Sequence, residues 1–175
     1  KDMKSRHNAE EAHIKVNRKY FIKKKAPVSG APGLMEYKCS YHGTLREKKD
    51  FILGVEIPVT TLCPCSKELA EQGAHNQRSQ VKIQIRSQKL VWIEELVEIA
   101  ESSASSPLFS ILKRSDEKAV TEQAYENPKF VEDIVREVAA KLNRISRVTW
   151  YRVDSENFES IHNHSAYACL EKTKK

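Results

Sequence analysis

Apolar and polar side chains alternate in the first half of the chain, and this pattern predicts four antiparallel β-strands. Alternation of this kind is typical of a strand that buries one face and exposes the other. It is strict in three segments and is interrupted near Asn17 and Arg18 in the first. The four segments are 14–22, 35–41, 51–57 and 81–85.

The second half of the chain predicts two helices followed by two strands. Apolar residues recur at intervals of three and four in segments 90–100 and 130–142, as on the buried face of a helix. Segments 145–153 and 166–170 are then predicted to be closing strands. Together with the first four strands, this order of elements indicates an α+β fold.

The second helix carries a start signal of its own. Asn127 is expected to cap this helix, and Pro128 suits the first helical position. Glu132 and Asp133 would lie near the positive end of the helix dipole. We therefore expect the helix to begin at residues 127–128.

Composition describes a globular protein with dispersed charge. The chain has 175 residues, of which 39% are apolar, so one sizeable core can form and overall disorder is not expected. The formal net charge of +6 is spread along the chain. Such a balance suits an anionic ligand and a nucleic acid equally well. The lysine run 23–25 is more typical of a solvated strand edge than of a phosphate site.

Neither a membrane span nor a leader peptide is visible in the sequence. No run of about 18 apolar residues occurs, so a cytoplasmic protein without a membrane partner is expected. The four cysteines are then expected to be reduced thiols or metal ligands. The chain begins at Lys1 within a polar, helix-compatible stretch. An N-terminal segment is therefore expected to be missing.

A Cys-x-Cys pair follows the third predicted strand. Cys63 and Cys65 come after Pro58, which is expected to end that strand and leave both thiols accessible on a turn. By itself this pair is a weak signal, because its spacing differs from the Cys-x-x-Cys of common zinc and redox sites.

Two further polar segments combine imidazole with other functional groups. Segment 73–79 contains His75 and Arg78 together with two amides, and it either serves a ligand or satisfies loop backbone groups. His162 and His164 lie in a predicted turn between strands. Residues two apart in extended backbone point to the same side, so both rings would face one pocket. A solvent-exposed turn is the simpler interpretation of that pair alone.

Six separated blocks of the sequence resemble the type IB GTP cyclohydrolases. The similarity is most specific in PVTTLCPCSKE at 58–68 and GAHNQRS at 73–79. It extends over nearly the whole chain through four further blocks, 20–30, 113–118, 127–133 and 162–164.

The resemblance implies the tunnelling fold, an antiparallel sheet with two helices on one face. Family members carry two such modules in tandem and assemble into barrels with active sites between subunits. We therefore expect residues 1–62 to be the remainder of an incomplete first module. Residues 63–175 would form the second module. The chain is expected to assemble into a homo-oligomer, and the expected oligomer is a tetramer.

The resemblance also implies a metal site. Its ligands would be a thiolate, a carboxylate and two imidazoles: Cys63, His75, Glu117 and His162. This donor set suits Zn²⁺, and its carboxylate makes Mn²⁺ or Fe²⁺ acceptable. His75 is alternatively a proton-transfer group that leaves one coordination position to water. Cys65 and His164 are expected close to the metal as further catalytic groups.

The implied reaction opens the purine ring of GTP at the start of folate synthesis. Water activated by the metal would attack C8, formate would leave, and the ribose carbons would close the ring of 7,8-dihydroneopterin triphosphate. A cyclic phosphate is the alternative product. Glu132 would bind the guanine edge, and Arg78, Lys67 and the lysine run 23–25 are candidates for the triphosphate.

Two rival functions follow from the same residues. A non-catalytic nucleotide- or nucleic-acid-binding module is suggested by the basic balance and by Tyr20, Phe21 and Trp150 near lysine and arginine. It leaves the cysteine, histidine and glutamate set unexplained, so nucleic acid is not the expected partner. A related tunnelling-fold enzyme acting on another purine or pterin is the second rival.

Overall fold

A computed structural model of the chain describes residues 2–174, and in this range all strands join one antiparallel sheet. Neighbouring strands follow the order β1-β2-β3-β4-β6-β7, and the short β5 pairs with β3. The strands are β1 (Ala12–Lys25), β2 (Pro32–Leu45), β3 (Lys49–Leu62), β4 (Asn76–Ser87), β5 (Ser106–Pro107), β6 (Val148–Phe158) and β7 (Ser165–Thr173). The helices are α1 (Asp2–His7), α2 (Pro64–Leu69), α3 (Ile93–Glu101), α4 (Arg114–Glu126) and α5 (Val131–Arg144).

Two helices cover one face of the sheet, as expected. Helix α3 packs against β3, and α5 packs against β6 and β7. Their buried residues, including Leu96 and Ile134, join one core with inward residues of the strands such as Val55, Ile83 and Val153. The predicted α+β class is therefore confirmed.

The opposite face of the sheet is polar. Glu56 pairs in register with Lys82, and Lys82 pairs with Asp154 on β6. These side chains alternate with the buried positions of the same strands. The alternation seen in the sequence thus separates a helix-covered apolar face from an open charged one.

Strand β3 does not end at Pro58, so that expectation was wrong. It continues to Leu62, and β4 pairs with it along this whole stretch. Strand β2 pairs with β3 only as far as Glu56, and β5 pairs with Val59 and Thr60. Pro58 lies between these two ladders, where its missing N–H group is tolerated.

The predicted start of α5 was also wrong. Helix α5 begins at Val131 with Phe130 as its cap residue, whereas Asn127 ends the preceding helix, α4. The Asn127 side chain donates to the carbonyl of Ala104 at 2.8 Å. The Asn127 side chain therefore binds a distant loop and does not cap the N-terminus of α5.

Helix α4 had no signal in the apolar pattern. Its buried residues are only Asp116 and Ala124, so no hydrophobic stripe marks it.

The predicted domain boundary after Leu62 falls between the paired strands β3 and β4 and stays a prediction. Among the described helices, none combines the length and apolarity needed to cross a membrane.

Candidate active site

Cys63 and His75 lie side by side where β3 ends and β4 begins. The Cys63 N–H group donates to the His75 carbonyl at 3.1 Å, directly beyond the Leu62–Asn76 pair of the sheet. Cys63 also caps α2, because its Sγ accepts from the Ser66 N–H group at 3.5 Å. The Cys-x-Cys pair therefore starts a short helix instead of a turn. Cys65 is exposed, and Cys63 is half-buried.

The backbone before Cys63 is held from both sides. The Leu62 N–H group donates to Ser105 Oγ at 3.0 Å, and the Leu62 carbonyl accepts from the Lys129 N–H group at 3.1 Å. These contacts join the end of β3 to the α3–α4 region and to the α4–α5 connection. The position of Cys63 is thus set by segments more than forty residues away in sequence.

His75 is fixed through its backbone and its ring. Its N–H group donates to Ser66 Oγ at 3.2 Å. Its Nδ1 lies 3.0 Å from Gln77 Oε1 and 3.4 Å from Ser160 Oγ. The second distance places the β6–β7 loop, which contains Ser160, beside the β3–β4 end of the sheet.

A buried polar chain continues from His75 into the sheet. Gln77 Nε2 donates to Thr61 Oγ1 at 3.0 Å, and Thr61 Oγ1 lies 2.6 Å from Ser79 Oγ. All three side chains are buried. None of them was predicted as a site residue. The available signal was their position, because each occupies the phase of the alternation that is apolar elsewhere in β3 and β4.

The two loop histidines lie together and are accessible. The ring centroids of His162 and His164 are 5.2 Å apart with an interplanar angle of 20°, so the rings stack on one side of the loop. Both residues are exposed. The rings therefore lie together as expected, but the backbone at 160–164 is bent instead of extended, and the pocket that they were expected to face stays a prediction.

Two adjacent carboxylates at the start of α4 have opposite environments. Glu117 is exposed, whereas Asp116 is fully buried. Asp116 accepts hydrogen bonds from the Val28 and Ser29 N–H groups, the Ser29 hydroxyl and the Lys113 N–H group at 2.6–2.8 Å. Burial alone would raise the pKa of Asp116, but these hydrogen bonds outweigh it and hold the pKa well below its usual range. Asp116 thus ties the β1–β2 turn to the helix that presents Glu117.

The predicted substrate-binding residues lie on three different elements. Glu132 is exposed in the first turn of α5, and Arg78 is exposed on β4. Lys67 on α2 donates to the Tyr125 carbonyl, and its ammonium lies 4.3 Å from the centroid of the Tyr125 ring. Lys67 is therefore already engaged, whereas Arg78 and Glu132 point to solvent.

The lysine run 23–25 divides between the two faces of β1. Lys24 points inward and donates to Glu101 Oε2 at 2.7 Å and to the Leu108 carbonyl at 2.8 Å. Burial is the main cause that lowers the pKa of Lys24. Lys23 and Lys25 are exposed. Only these two members of the run are free to meet an anion.

The aromatic residues behind the nucleic-acid alternative do not form one platform. Phe21 lies on β1 and Trp150 on β6, with three strands between them. Tyr20 donates to Glu94 at 2.6 Å, and Trp150 Nε1 donates to Glu171 at 2.9 Å.

The four predicted metal ligands are only partly gathered within one chain. Over residues 2–174, no three or more histidine, cysteine, aspartate or glutamate side chains are grouped closely enough to hold a metal ion. Cys63 and His75 adjoin, whereas Glu117 and His162 are exposed on α4 and on the β6–β7 loop. The contact between Cys63 and His75 is a backbone hydrogen bond, and their side chains, a thiol and an imidazole, are ligand types that suit a borderline divalent ion.

Comparison with known sequences gives a consistent result. The family model described as type I GTP cyclohydrolase folE2 matches residues 1–168. A GTP cyclohydrolase FolE2 of Syntrophotalea carbinolica is 59% identical over 170 residues, which are 97% of this chain and 64% of the relative. The FolE2 of Geobacter sulfurreducens is 59% identical over 99% of this chain and 67% of its own length. The chain thus spans about two thirds of the relatives that it matches.

Comparison with solved structures supports the fold. The urate oxidase of Bacillus sp. TB-90 crystallised without chloride superposes with a TM-score of 0.57 at 9% identity, covering 99% of this chain and 69% of that chain. A second crystal structure of the same enzyme, improved by humidity control, gives a TM-score of 0.55 at 8% identity. At these identities the match concerns the fold alone, which is the tunnelling fold expected from the sequence.

Proposed function

The chain belongs to the type I GTP cyclohydrolase folE2 family, and we propose that it provides a metal-assisted GTP cyclohydrolase active site. The observation that carries the proposal is the family match over residues 1–168. The chain spans only part of the length of its relatives, so the activity of the whole enzyme is inferred from them. The juxtaposition of Cys63 and His75 supports the inference.

The proposed reaction consumes one GTP and one water. One water adds to C8 of the purine and opens the imidazole ring to a formamide, and a second water hydrolyses the formamide, so that C8 leaves as formate. The ribose carbons then rearrange and condense with the freed amine, which releases one water and gives 7,8-dihydroneopterin triphosphate, so the net consumption is one water. This is the first step of folate synthesis, for which a cytoplasmic location is the natural one.

Cys63, His75, Glu117 and His162 are the proposed metal ligands. A divalent ion such as Zn²⁺, Mn²⁺ or Fe²⁺ bound there would activate the hydrolytic water at neutral pH. Two ligands already adjoin, and Ser160 brings the β6–β7 loop that carries His162 next to His75. Cys65 and His164 are proposed to transfer protons beside the metal.

Glu132, Arg78 and Lys67 are the proposed substrate-binding residues. The Glu132 carboxylate has no hydrogen-bonding partner in residues 2–174, so it is free to accept two hydrogen bonds from the guanine edge. Arg78 supplies an exposed guanidinium for the triphosphate. Lys67 would have to leave the Tyr125 carbonyl in order to contribute.

Association of copies is proposed to complete the site. Leu69 is 84% exposed and Ile161 is 65% exposed, and both lie on the segments that border Cys63 and His75. Singly exposed apolar residues are common on protein surfaces, so the proposed interface rests on the family resemblance. We therefore expect a homotetramer with sites between subunits. The division into modules 1–62 and 63–175 is part of the same proposal.

A turnover assay separates the candidate functions. The protein is incubated with GTP and each of Zn²⁺, Mn²⁺ and Fe²⁺, and formate and a fluorescent pterin are followed. Mass spectrometry then distinguishes the triphosphate from a cyclic phosphate product. Binding of GTP without formate release would favour the non-catalytic module, and turnover of another purine would favour the related enzyme. Light scattering on the same sample tests the tetramer.

Ligand substitutions test the metal assignment. Cys63→Ala and His162→Ala should each lower metal content and turnover together, because loss of a ligand weakens the site and misplaces the water. Cys169→Ala is the matched control, since Cys169 is an exposed thiol on β7. Full metal content and turnover in both ligand variants would show that the assigned site is wrong.

Glu132→Gln separates substrate binding from metal binding. Loss of a charge-assisted hydrogen bond costs about 1.5–3 kcal/mol, so GTP binding should weaken by roughly ten- to more than a hundredfold. Metal content should not change. The control is Glu122→Gln, which makes the same change at an exposed glutamate of α4. If Glu132→Gln loses metal and binds GTP normally, the roles of Glu117 and Glu132 need to be exchanged.

A further inference from the structure

The side-chain amide of Gln77 lies between His75 and the buried hydroxyl of Thr61. One end of the amide, Oε1, is 3.0 Å from His75 Nδ1, and the other, Nε2, is 3.0 Å from Thr61 Oγ1. Gln77 is only 7% exposed and Thr61 is fully buried. Water therefore has little access to the Gln77–Thr61 hydrogen bond, and the Gln77 amide depends on His75 and Thr61 for its partners.

The orientation of the amide determines which ring nitrogen of His75 carries the hydrogen. Gln77 Nε2 donates to Thr61, so the carbonyl oxygen Oε1 faces the imidazole. A carbonyl oxygen only accepts hydrogen bonds, so Nδ1 must be the donor. In a neutral imidazole, the other nitrogen, Nε2, then keeps its lone pair.

We infer that Gln77 is a positioning residue that holds neutral His75 as the Nδ1–H tautomer, and that Thr61 is the acceptor for the Gln77 amide in this orientation. The consequence is a lone pair on Nε2, which is the form that binds a metal ion or accepts a proton. The use of this lone pair rests on the proposed function. The tautomer itself is a property of the hydrogen-bond network alone.

Two hydroxyl groups complete the network, and they act differently. Ser79 Oγ lies 2.6 Å from Thr61 Oγ1 and is buried, so it holds the Thr61 hydroxyl at the inner end of the chain. Ser160 Oγ lies 3.4 Å from His75 Nδ1, belongs to a loop and is exposed. A hydroxyl either donates or accepts, so Ser160 does not select a tautomer.

Long-range ¹H–¹⁵N correlation spectra of the metal-free protein test the inference directly. At a pH where His75 is neutral, its Nδ1 should show the shift of a protonated ring nitrogen and its Nε2 that of an unprotonated one. Gln77→Leu and Thr61→Val should both shift the population toward the Nε2–H form. Thr61→Ser keeps the hydroxyl and should retain the wild-type tautomer, and Ser160→Ala should also leave it unchanged.

Zn²⁺ affinity supplies a second readout that does not depend on turnover. Gln77→Leu should weaken Zn²⁺ binding by roughly ten- to a hundredfold, as is typical when the hydrogen-bond partner of a ligating histidine is lost. Thr61→Ser should bind Zn²⁺ like the wild type. Gln77→Glu retains an acceptor for Nδ1–H and should preserve the tautomer even if Gln77→Leu does not fold.

The inference and the proposed function can fail separately. A wild-type protein in which His75 carries its hydrogen on Nε2 would overturn the inference, whatever the activity toward GTP. So would a tautomer that responds to Ser160→Ala and not to Gln77→Leu. Absence of formate release with an intact Nδ1–H tautomer would instead overturn only the proposed function.

Discussion

The helix-covered face of the sheet has an apolar centre and a polar end, and both are buried. In the centre, the inward positions of β3, β4 and β6 hold aliphatic and aromatic residues: Val55, Ile57, Val59, Val81, Ile83, Tyr151 and Val153. At the end near Cys63, the same inward phase holds polar residues instead: Thr61, Gln77, Ser79, Ser155 and Asn157. Three strands thus change residue type at one end without changing their alternation.

This difference indicates where the sheet serves chemistry as well as packing. A buried polar group costs stability unless it finds a hydrogen-bond partner, whereas a buried valine requires only a matching shape. Thr61, Gln77 and Ser79 satisfy one another and reach His75. Within residues 2–174, Ser155 Oγ and Asn157 Oδ1 have no partner. The polar end is therefore less favourable for stability alone, and it lies beside Cys63 and His75 of the proposed site.

The largest stability effect is expected in the apolar centre. Ile83 is fully buried, so Ile83→Ala should lower the free energy of unfolding by about 2–5 kcal/mol through lost contacts and a cavity. Ile14 on β1 is 58% exposed, and Ile14→Ala should change the free energy of unfolding by no more than about 0.5 kcal/mol. Urea denaturation measures both. Similar losses in the two variants would mean that burial of the sheet centre does not dominate stability.

A smaller effect is expected at the polar end. Thr61→Val has nearly the same shape but leaves Gln77 Nε2 without its acceptor, so we expect a loss of about 1–3 kcal/mol. Thr61→Ser keeps the hydroxyl and should lose less. The same denaturation experiment compares the two. A Thr61→Val protein more stable than the wild type would show that the network does not stabilise the fold.

The smallest effect is expected for a polar pair on the open face. Arg86 donates to both carboxylate oxygens of Asp50 at 2.7 and 2.9 Å, and these side chains are 36% and 42% exposed. Because solvent screens such a pair, Asp50→Asn should cost only about 0.2–1 kcal/mol at neutral pH. The control is Asp50→Asn made in an Arg86→Ala background, where it should lower the free energy of unfolding by a smaller amount.

The effect of Asp50→Asn should also depend on pH. The hydrogen bonds from Arg86 are the main cause that lowers the pKa of Asp50 in the folded state. The unfolded carboxyl has a pKa of about 3.9, so the stabilisation is present above that pH and is lost as the pH falls through the folded-state pKa. Denaturation at pH 7 and at about pH 3 checks the sign. A difference that grows at the lower pH contradicts it.

Sequence patterns located the elements that bury an apolar stripe. Helix α5 has six buried residues in a regular spacing, and its existence was predicted correctly. Helix α4 was missed because its buried face consists of one carboxylate and one alanine. The start of α5 was misplaced because Asn127 has the side chain of a cap but donates to Ala104, 23 residues earlier. Local propensity describes what a residue is able to do and leaves open which partner it meets.

The residues of the candidate site also fall into those that the sequence indicated and those that only the structure revealed. The cysteines and histidines proposed to act in it stood out in polar segments of the sequence, whereas the roles of Glu117 and Glu132 came from the family resemblance. The residues that hold them, such as Gln77, Thr61 and Asp116, became visible only in three dimensions. Asp116 meets Ser29 across 87 positions, and Gln77 meets Thr61 across 16.

The sequence by itself determined the α+β class, the apolar face of the sheet and the family of the chain. These depend on periodicity and on motifs, which are local or additive along the chain. Only the tertiary structure decided that Cys63 adjoins His75 and that Gln77 Oε1 faces an imidazole nitrogen. These depend on strand register and loop paths, where a shift of one residue in β4 would turn Gln77 to the opposite face of the sheet.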